Sequence, residues 1–170
     1  MDVLKPVEEL NNILLGYTPD KQNLICKNED FCYFDNAPTL AVLNANYDSE
    51  ASVAWLIPQI TDCMIFTNNK SVLSDAQIEM LASLIASEYY YLKLTELMLF
   101  FRKFKLGKYR QIYGNFSPMA ITLSIREFLL ERNDAYFKHE SEIEAKKRDV
   151  DRNSGISYQE YLKLKEKNKL

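Results

Sequence analysis

Hydrophobic positions along this chain recur at helical rather than alternating spacing. Val3, Val7, Leu10 and Leu14 mark one face of an opening helix over 3–15. Pro6 fits there because the first helical turn needs no donor from it, and Gly16 is a natural stop. Residues 17–36 lose the period and mix Pro, Asn, Asp and Lys. They read as a loop, or as a short hairpin, pinned by Leu24-Ile25 and by Phe31, Tyr33 and Phe34. A short helix over 38–45 follows, with Pro38 in its first turn. Asp48 or Ser49 caps a helix over 49–66 that carries Val53, Trp55, Leu56, Ile60, Cys63 and Phe66. Pro58 is expected to break it.

The strongest start is Ser74-Asp75-Ala76-Gln77, a capping box. Ile78, Leu81, Ile85 and Leu92 set an inner face, and from Tyr89 to Phe101 the sequence is apolar nearly all round. The pattern predicts one long, central, buried helix over 75–106, closed by Gly107. Ser117-Pro118 opens the next, over 118–147, with a stripe of Ile121, Ile125, Phe128 and Leu129. Beyond Tyr136 that segment turns charged. Ser157-Tyr158-Gln159-Glu160 starts a last short helix over 157–167. The expected fold is all-α: a compact helical bundle around a long central helix over residues 1–137, then a charged helical extension or tether over 138–170. Its core should centre on Trp55, Ile85, Leu92, Leu97, Phe101, Ile121, Ile125 and Phe128.

Composition narrows this picture. A chain of 170 residues with 47% hydrophobic content can bury a core without staples. Four glycines are too few for a turn-rich β-sandwich. Cys26, Cys32 and Cys63 are odd in number and lack C-x-x-C spacing, so they read as buried thiols of a reducing compartment. The start lacks the charged and apolar regions of a signal peptide, and none is expected. The longest fully apolar run, Leu97 to Phe101, is far short of a membrane span. Charge is unevenly spread. Residues 1–92 carry four basic and thirteen acidic side chains, whereas residues 93–137 carry eight basic and four acidic. The two halves therefore offer different faces to partners.

The chain lacks the parts of a familiar active site. No two glycines lie close enough to cradle a phosphate. The single histidine, His139, sits in the charged stretch. A non-enzymatic protein without a cofactor is the expectation. Two features remain. The first is the basic turn Arg102, Lys103, Lys105, Lys108, Tyr109 and Arg110, where cations interleave with aromatics that could meet phosphates and bases, or an acidic protein. The alternative is structural: core aromatics where a helix ends, with cations offsetting its dipole. The second feature is Asp149, Asp151, Asn153, Ser157 and Glu160, which fall on ligand positions of a calcium-loop template. Ser154 stands where that loop wants glycine. The alternative is a polar connector into a capped helix, and calcium affinity tighter than ~1 mM is not expected.

Several segments carry a resemblance. They are Ala54-Trp55-Leu56, Tyr91 to Phe101, Tyr109 to Gly114, Ser117 to Thr122 and Arg126 to Leu129. Across roughly residues 37–135 the chain resembles an uncharacterised family of small helical proteins carried by phages and mobile elements of gut bacteria. Its most specific part is E-L-M-L-F-F-x-x-F-K-x-G-x-Y. Arg110 stands where the family pattern has a second glycine, so the loop need not close identically. The pattern I-S-Y-x-E-Y-L, here Ile156 to Leu162, also resembles the family. It appears there behind a variable charged linker without a calcium loop's aspartates, which favours the capped helix over calcium. The resemblance implies an accessory role in a bacterial host cytoplasm, or in a virion, and no known chemistry. A helical body, a charged tether and a short helix bearing Tyr158, Tyr161 and Leu162 suit an adaptor with a protein partner. A replicative helicase or another nucleic-acid machine is the leading partner class, with no membrane role. A virion-associated structural protein and a calcium-modulated interaction protein are the alternatives.

Overall fold

The computed structural model describes residues 7–67, 73–109, 117–154 and 158–167. Every regular element among them is helical, and the fold is all-α. In chain order these are α1 (Val7–Gly16), a 3-10 turn (Pro19–Lys21), α2 (Gln22–Ile25), α3 (Glu29–Phe34), α4 (Leu40–Asn46) and α5 (Ala51–Thr67). After these come α6 (Asp75–Glu88), α7 (Leu94–Lys105), α8 (Pro118–Ser154) and α9 (Tyr158–Lys167). Two compact units result, Met1–Arg132 and Asn133–Leu170. None of the helices among the described residues is long and apolar enough to cross a membrane.

The first unit is organised around α7. Every residue from Leu94 to Phe101 is buried, and α2, α3 and α5 pack against this helix. All eight side chains expected in the core are buried, Trp55 at 2% exposure and the other seven at 0%. Phe100 and Phe128 meet edge to face at 5.7 Å, and Tyr33 lies 6.1 Å from Phe128, so α3, α7 and α8 share one aromatic cluster.

Three local expectations differ from the structure. The segment 17–36 is not a loop: it holds the 3-10 turn, α2 and α3. Asn28 caps α3, its side chain accepting the Asp30 N–H at 3.0 Å, and both Cys32 and Tyr33 are buried. The short length of these helices, four and six residues, hid them from a search for period.

The second difference is at Pro58, which lies inside an unbroken 17-residue α5. Pro58 and Ala54, whose carbonyl loses its donor, are both on the exposed face, where water can satisfy that oxygen. The opposite face buries Trp55, Leu56, Gln59, Ile60 and Cys63, and this packing holds the helix together.

The third is the division of 75–106 into α6 and α7. Neither proline nor glycine interrupts that stretch. Tertiary pairing interrupts it instead: Leu40 N–H donates to Leu92 O at 3.1 Å, Ala41 N–H to Tyr90 O at 2.8 Å, and Leu94 N–H to Pro38 O at 3.0 Å. Thr39 and Lys93 form an isolated antiparallel bridge. The long helix is α8, of 37 residues, rather than the buried one.

Truncating Leu92 or Phe128 to alanine should lower stability by about 2–5 kcal/mol, because both side chains are sealed. Urea denaturation measures this, and a loss below about 0.5 kcal/mol would place them outside the core.

Candidate functional site

The last turn of α7 is where the basic cluster takes shape. Gly107 sits at φ 71°, the left-handed conformation that ends a helix. Gly107 N–H donates to Phe104 O at 3.0 Å and Lys108 N–H to Lys103 O at 3.1 Å, the paired bonds of a Schellman closure. That closure folds the chain back and sends Tyr109 into the core, where its ring stacks on Phe100 at 5.8 Å. The cations thus stand at the end of a buried helix, near its carbonyl pole.

Acidic side chains from other elements meet them there. Lys103 is only 3% exposed, yet its ammonium donates to Glu29 of α3 at 2.6 Å, to Glu131 of α8 at 3.0 Å and to the Tyr33 hydroxyl at 3.4 Å. Lys108 shares Glu131 at 2.9 Å. Lys105 pairs with Asp62 of α5 at 2.5 Å, and the Arg102 guanidinium donates to Asn23 at 3.4 Å. Arg110 lies outside the described residues. Glu29 and Asp62 belong to the acidic first half of the chain, so the charge asymmetry of the sequence is met in part within the molecule itself. A second buried pair lies at the start of α7. Glu96, at 0% exposure, accepts from Arg132 at 2.7 Å and from the Lys93 N–H at 2.9 Å.

Burial alone would lower the Lys103 ammonium, but its hydrogen bonds to Glu29 and Glu131 outweigh that and raise it above 10.5. Desolvation, followed by the nearby carboxylates, pushes the Tyr33 and Tyr109 phenols above 10.0. The Tyr109 hydroxyl is buried without a hydrogen-bond partner among the described residues.

Of the second candidate set, Asp149, Asp151 and Asn153 lie within α8, where the backbone is helical rather than looped. Ser157 lies outside the described residues, and Glu160 belongs to α9. No group of three or more metal-ligating side chains occurs among the described residues.

The third set lies in the second unit. Tyr158, Tyr161 and Leu162 of α9 are 75%, 48% and 41% exposed and follow i, i+3, i+4 spacing, so they share one helix face. The Lys165 ammonium sits 6.0 Å from the centre of the Tyr161 ring. The structure therefore brings Arg102, Lys103, Lys105, Lys108 and Tyr109 together at one helix end and gathers the α9 residues on one face.

The functional partners missed in the sequence are Glu29, Asp62, Glu96 and Glu131. Each is distant in sequence from the cation it meets. Only the acidic excess of residues 1–92 hinted at Glu29 and Asp62.

Residues 73–169, more than half of the chain, match the family of unknown function DUF6633, and the chain belongs to that family. The match takes in α6 to α9, with Lys103 and Glu131, while Glu29 and Asp62 lie before it. No curated protein matches the chain. No solved structure matches it either.

Lys103→Met should lower stability at neutral pH by about 3 kcal/mol, since it leaves two carboxylates without their buried cation. Lys108→Gln, at a side chain 47% exposed, should cost less than about 1 kcal/mol. Urea denaturation of both variants checks the contrast, and equal losses would remove Lys103 from its central place.

Alkaline unfolding should follow from the raised groups. Above pH 10.0 the unfolded tyrosines release protons that folded Tyr33 and Tyr109 keep, and above 10.5 the same holds for Lys103. The unfolded state then binds fewer protons, so stability falls as pH rises. Melting temperature should hold steady from pH 7 to 8 and fall from about pH 9, where burial keeps the Cys63 thiol protonated in the folded state alone, and Tyr109→Phe should make the drop above 10 shallower. A midpoint unchanged up to pH 12 would contradict this.

Proposed function

We propose that this protein is a non-enzymatic adaptor, an accessory protein of a phage or mobile genetic element, that works by holding other proteins. The observation that carries this reading is the exposed face of α9. Two tyrosines and a leucine stand on one side of a ten-residue helix in a unit separate from the core. Amphipathic helices of this kind dock their apolar face into a partner's groove. Tyrosine suits such contacts because it adds large area with little entropy to lose.

The ion pairs at the end of α7 also favour protein over nucleic acid as the main partner. Lys103, Lys105 and Lys108 already have carboxylate partners within the chain, and a phosphate backbone would have to displace them. The setting in a phage or mobile element rests on the resemblance of residues 37–135 and of Ile156 to Leu162. Within that setting the partner class is a protein of a nucleic-acid machine such as a replicative helicase.

The test is affinity capture from the native host with the wild-type chain and with Tyr158→Ala/Tyr161→Ala/Leu162→Ala. We expect a stoichiometric protein partner that the triple variant loses at least tenfold, with unchanged helicity by circular dichroism. Undiminished capture by the variant would move the contact away from α9. Recovery of DNA with no protein would favour contact through the basic turn, and high copy number in purified particles would favour a structural role in the virion.

A further inference from the structure

We propose that the cleft between α1 and α5 binds a neutral, bicyclic aromatic molecule through one hydrogen-bond donor. The cleft encloses about 340 Å³. That is roughly twice the ~150 Å³ that takes up one benzene, so two fused rings match it in size. Leu14 and Leu15 of α1 and Ala54, Trp55 and Pro58 of α5 make its walls mainly apolar. None of the ten described residues that line it is charged. A phosphate, carboxylate or ammonium would shed water there without gaining a counter-ion, which makes a neutral ligand the fitting one.

Hydrogen bonding within the protein uses up most of the polar groups of the lining. Trp55 Nε1–H donates to Tyr17 O at 3.0 Å, and Gln59 Nε2 donates to the same oxygen at 2.8 Å. Both lone pairs of that carbonyl are thereby taken. Gln59 Oε1 in turn accepts from Gln22 Nε2 at 2.6 Å. These bonds tie the segment after α1 to α5, so the walls are set before a ligand arrives. They also occupy the only donor of the Trp55 side chain, whose indole is left as apolar wall.

The Ala54 carbonyl is different. In an α-helix that oxygen accepts from the N–H four residues on, and here the residue is Pro58, which has none. Ala54 and Pro58 both line the cleft. Proline thus opens an acceptor on a helix wall that would otherwise keep its backbone to itself. A ligand N–H or O–H takes the place of water on this oxygen while its rings lie against Trp55, Pro58 and the two leucines. The side chains of Asn11 and Thr18 also line the cleft and admit a second polar substituent.

Indole is the probe, with N-methylindole as its donor-free counterpart and indole carboxylate as its anionic one. Trp55 is the only tryptophan of the chain, so its side-chain N–H gives a single signal in a proton–nitrogen correlation spectrum of the full, labelled protein. Unlabelled indole should shift that signal to saturation with a dissociation constant of ~1 mM or tighter. N-methylindole and indole carboxylate should bind about three- to tenfold more weakly. Pro58→Ala returns an N–H to Ala54 O, and in that variant indole and N-methylindole should bind alike. Ala54→Phe, at an exposed position, should keep the circular dichroism spectrum and abolish the shift. A Trp55 signal unmoved at several times that indole concentration would overturn the proposal, as would equal binding of indole and N-methylindole by the wild type. Discrimination that survives Pro58→Ala would put the donor on Asn11 or Thr18 and overturn the role of Ala54. Loss of protein capture by Ala54→Phe without any indole shift would assign the cleft to a partner's side chain instead. If Ala54→Phe fails to fold, the wild-type titrations and Pro58→Ala still decide.

Discussion

A helix that is buried on every side has to be surrounded, and α7 places that demand on the rest of the first unit. Leu94 to Phe101 expose nothing to solvent, so neighbours must cover the full circumference. The short helices α2 and α3 supply part of that cover, together with α5. Burying Leu97, Leu99, Phe100 and Phe101 stabilises the fold by about 1.5–3 kcal/mol per side chain before entropy is set against it. The aromatic cluster of Tyr33, Phe100 and Phe128 continues that cover to α8.

The end of such a helix poses an electrostatic problem. Lys103 stands two positions beyond the apolar run and is carried inside with it. A buried ammonium is tolerable only when carboxylates meet it, and Glu29 and Glu131 do so from two other elements. Lys103 is thus less a free cation than a junction between α3, α7 and α8. Its neighbours Lys105 and Lys108 repeat the arrangement nearer the surface, with weaker consequence because water screens them.

The second unit follows different physics. From Asn133 onward the exposed positions of α8 are mainly charged, with Arg148 and Glu144 paired at 3.3 Å one turn apart. Helix propensity and such local pairs sustain this part, whereas burial sustains the first unit. Exposed apolar side chains such as Tyr158, Tyr161 and Leu162 have little reason to stand on α9 unless something covers them in use.

Local rules in the sequence determined the helix class, most helix starts and the core. Ser74 with Gln77 and Gly107 at the end of α7 act through bonds spanning a few residues, so their meaning is visible in any short window. The eight core side chains were legible for a similar reason, since a period of 3.6 marks a face wherever the helix is long enough. Only tertiary structure decided what needs partners from afar. Pairing of 38–41 with 90–94 split an uninterrupted helical pattern, and packing carried α5 through Pro58. Lys103 met Glu29 across 74 residues and Glu131 across 28. The sequence displayed those charges openly. Which of them would face water, and which would be buried against one another, depended on how α3 and α8 close around α7, and no local spacing encodes that.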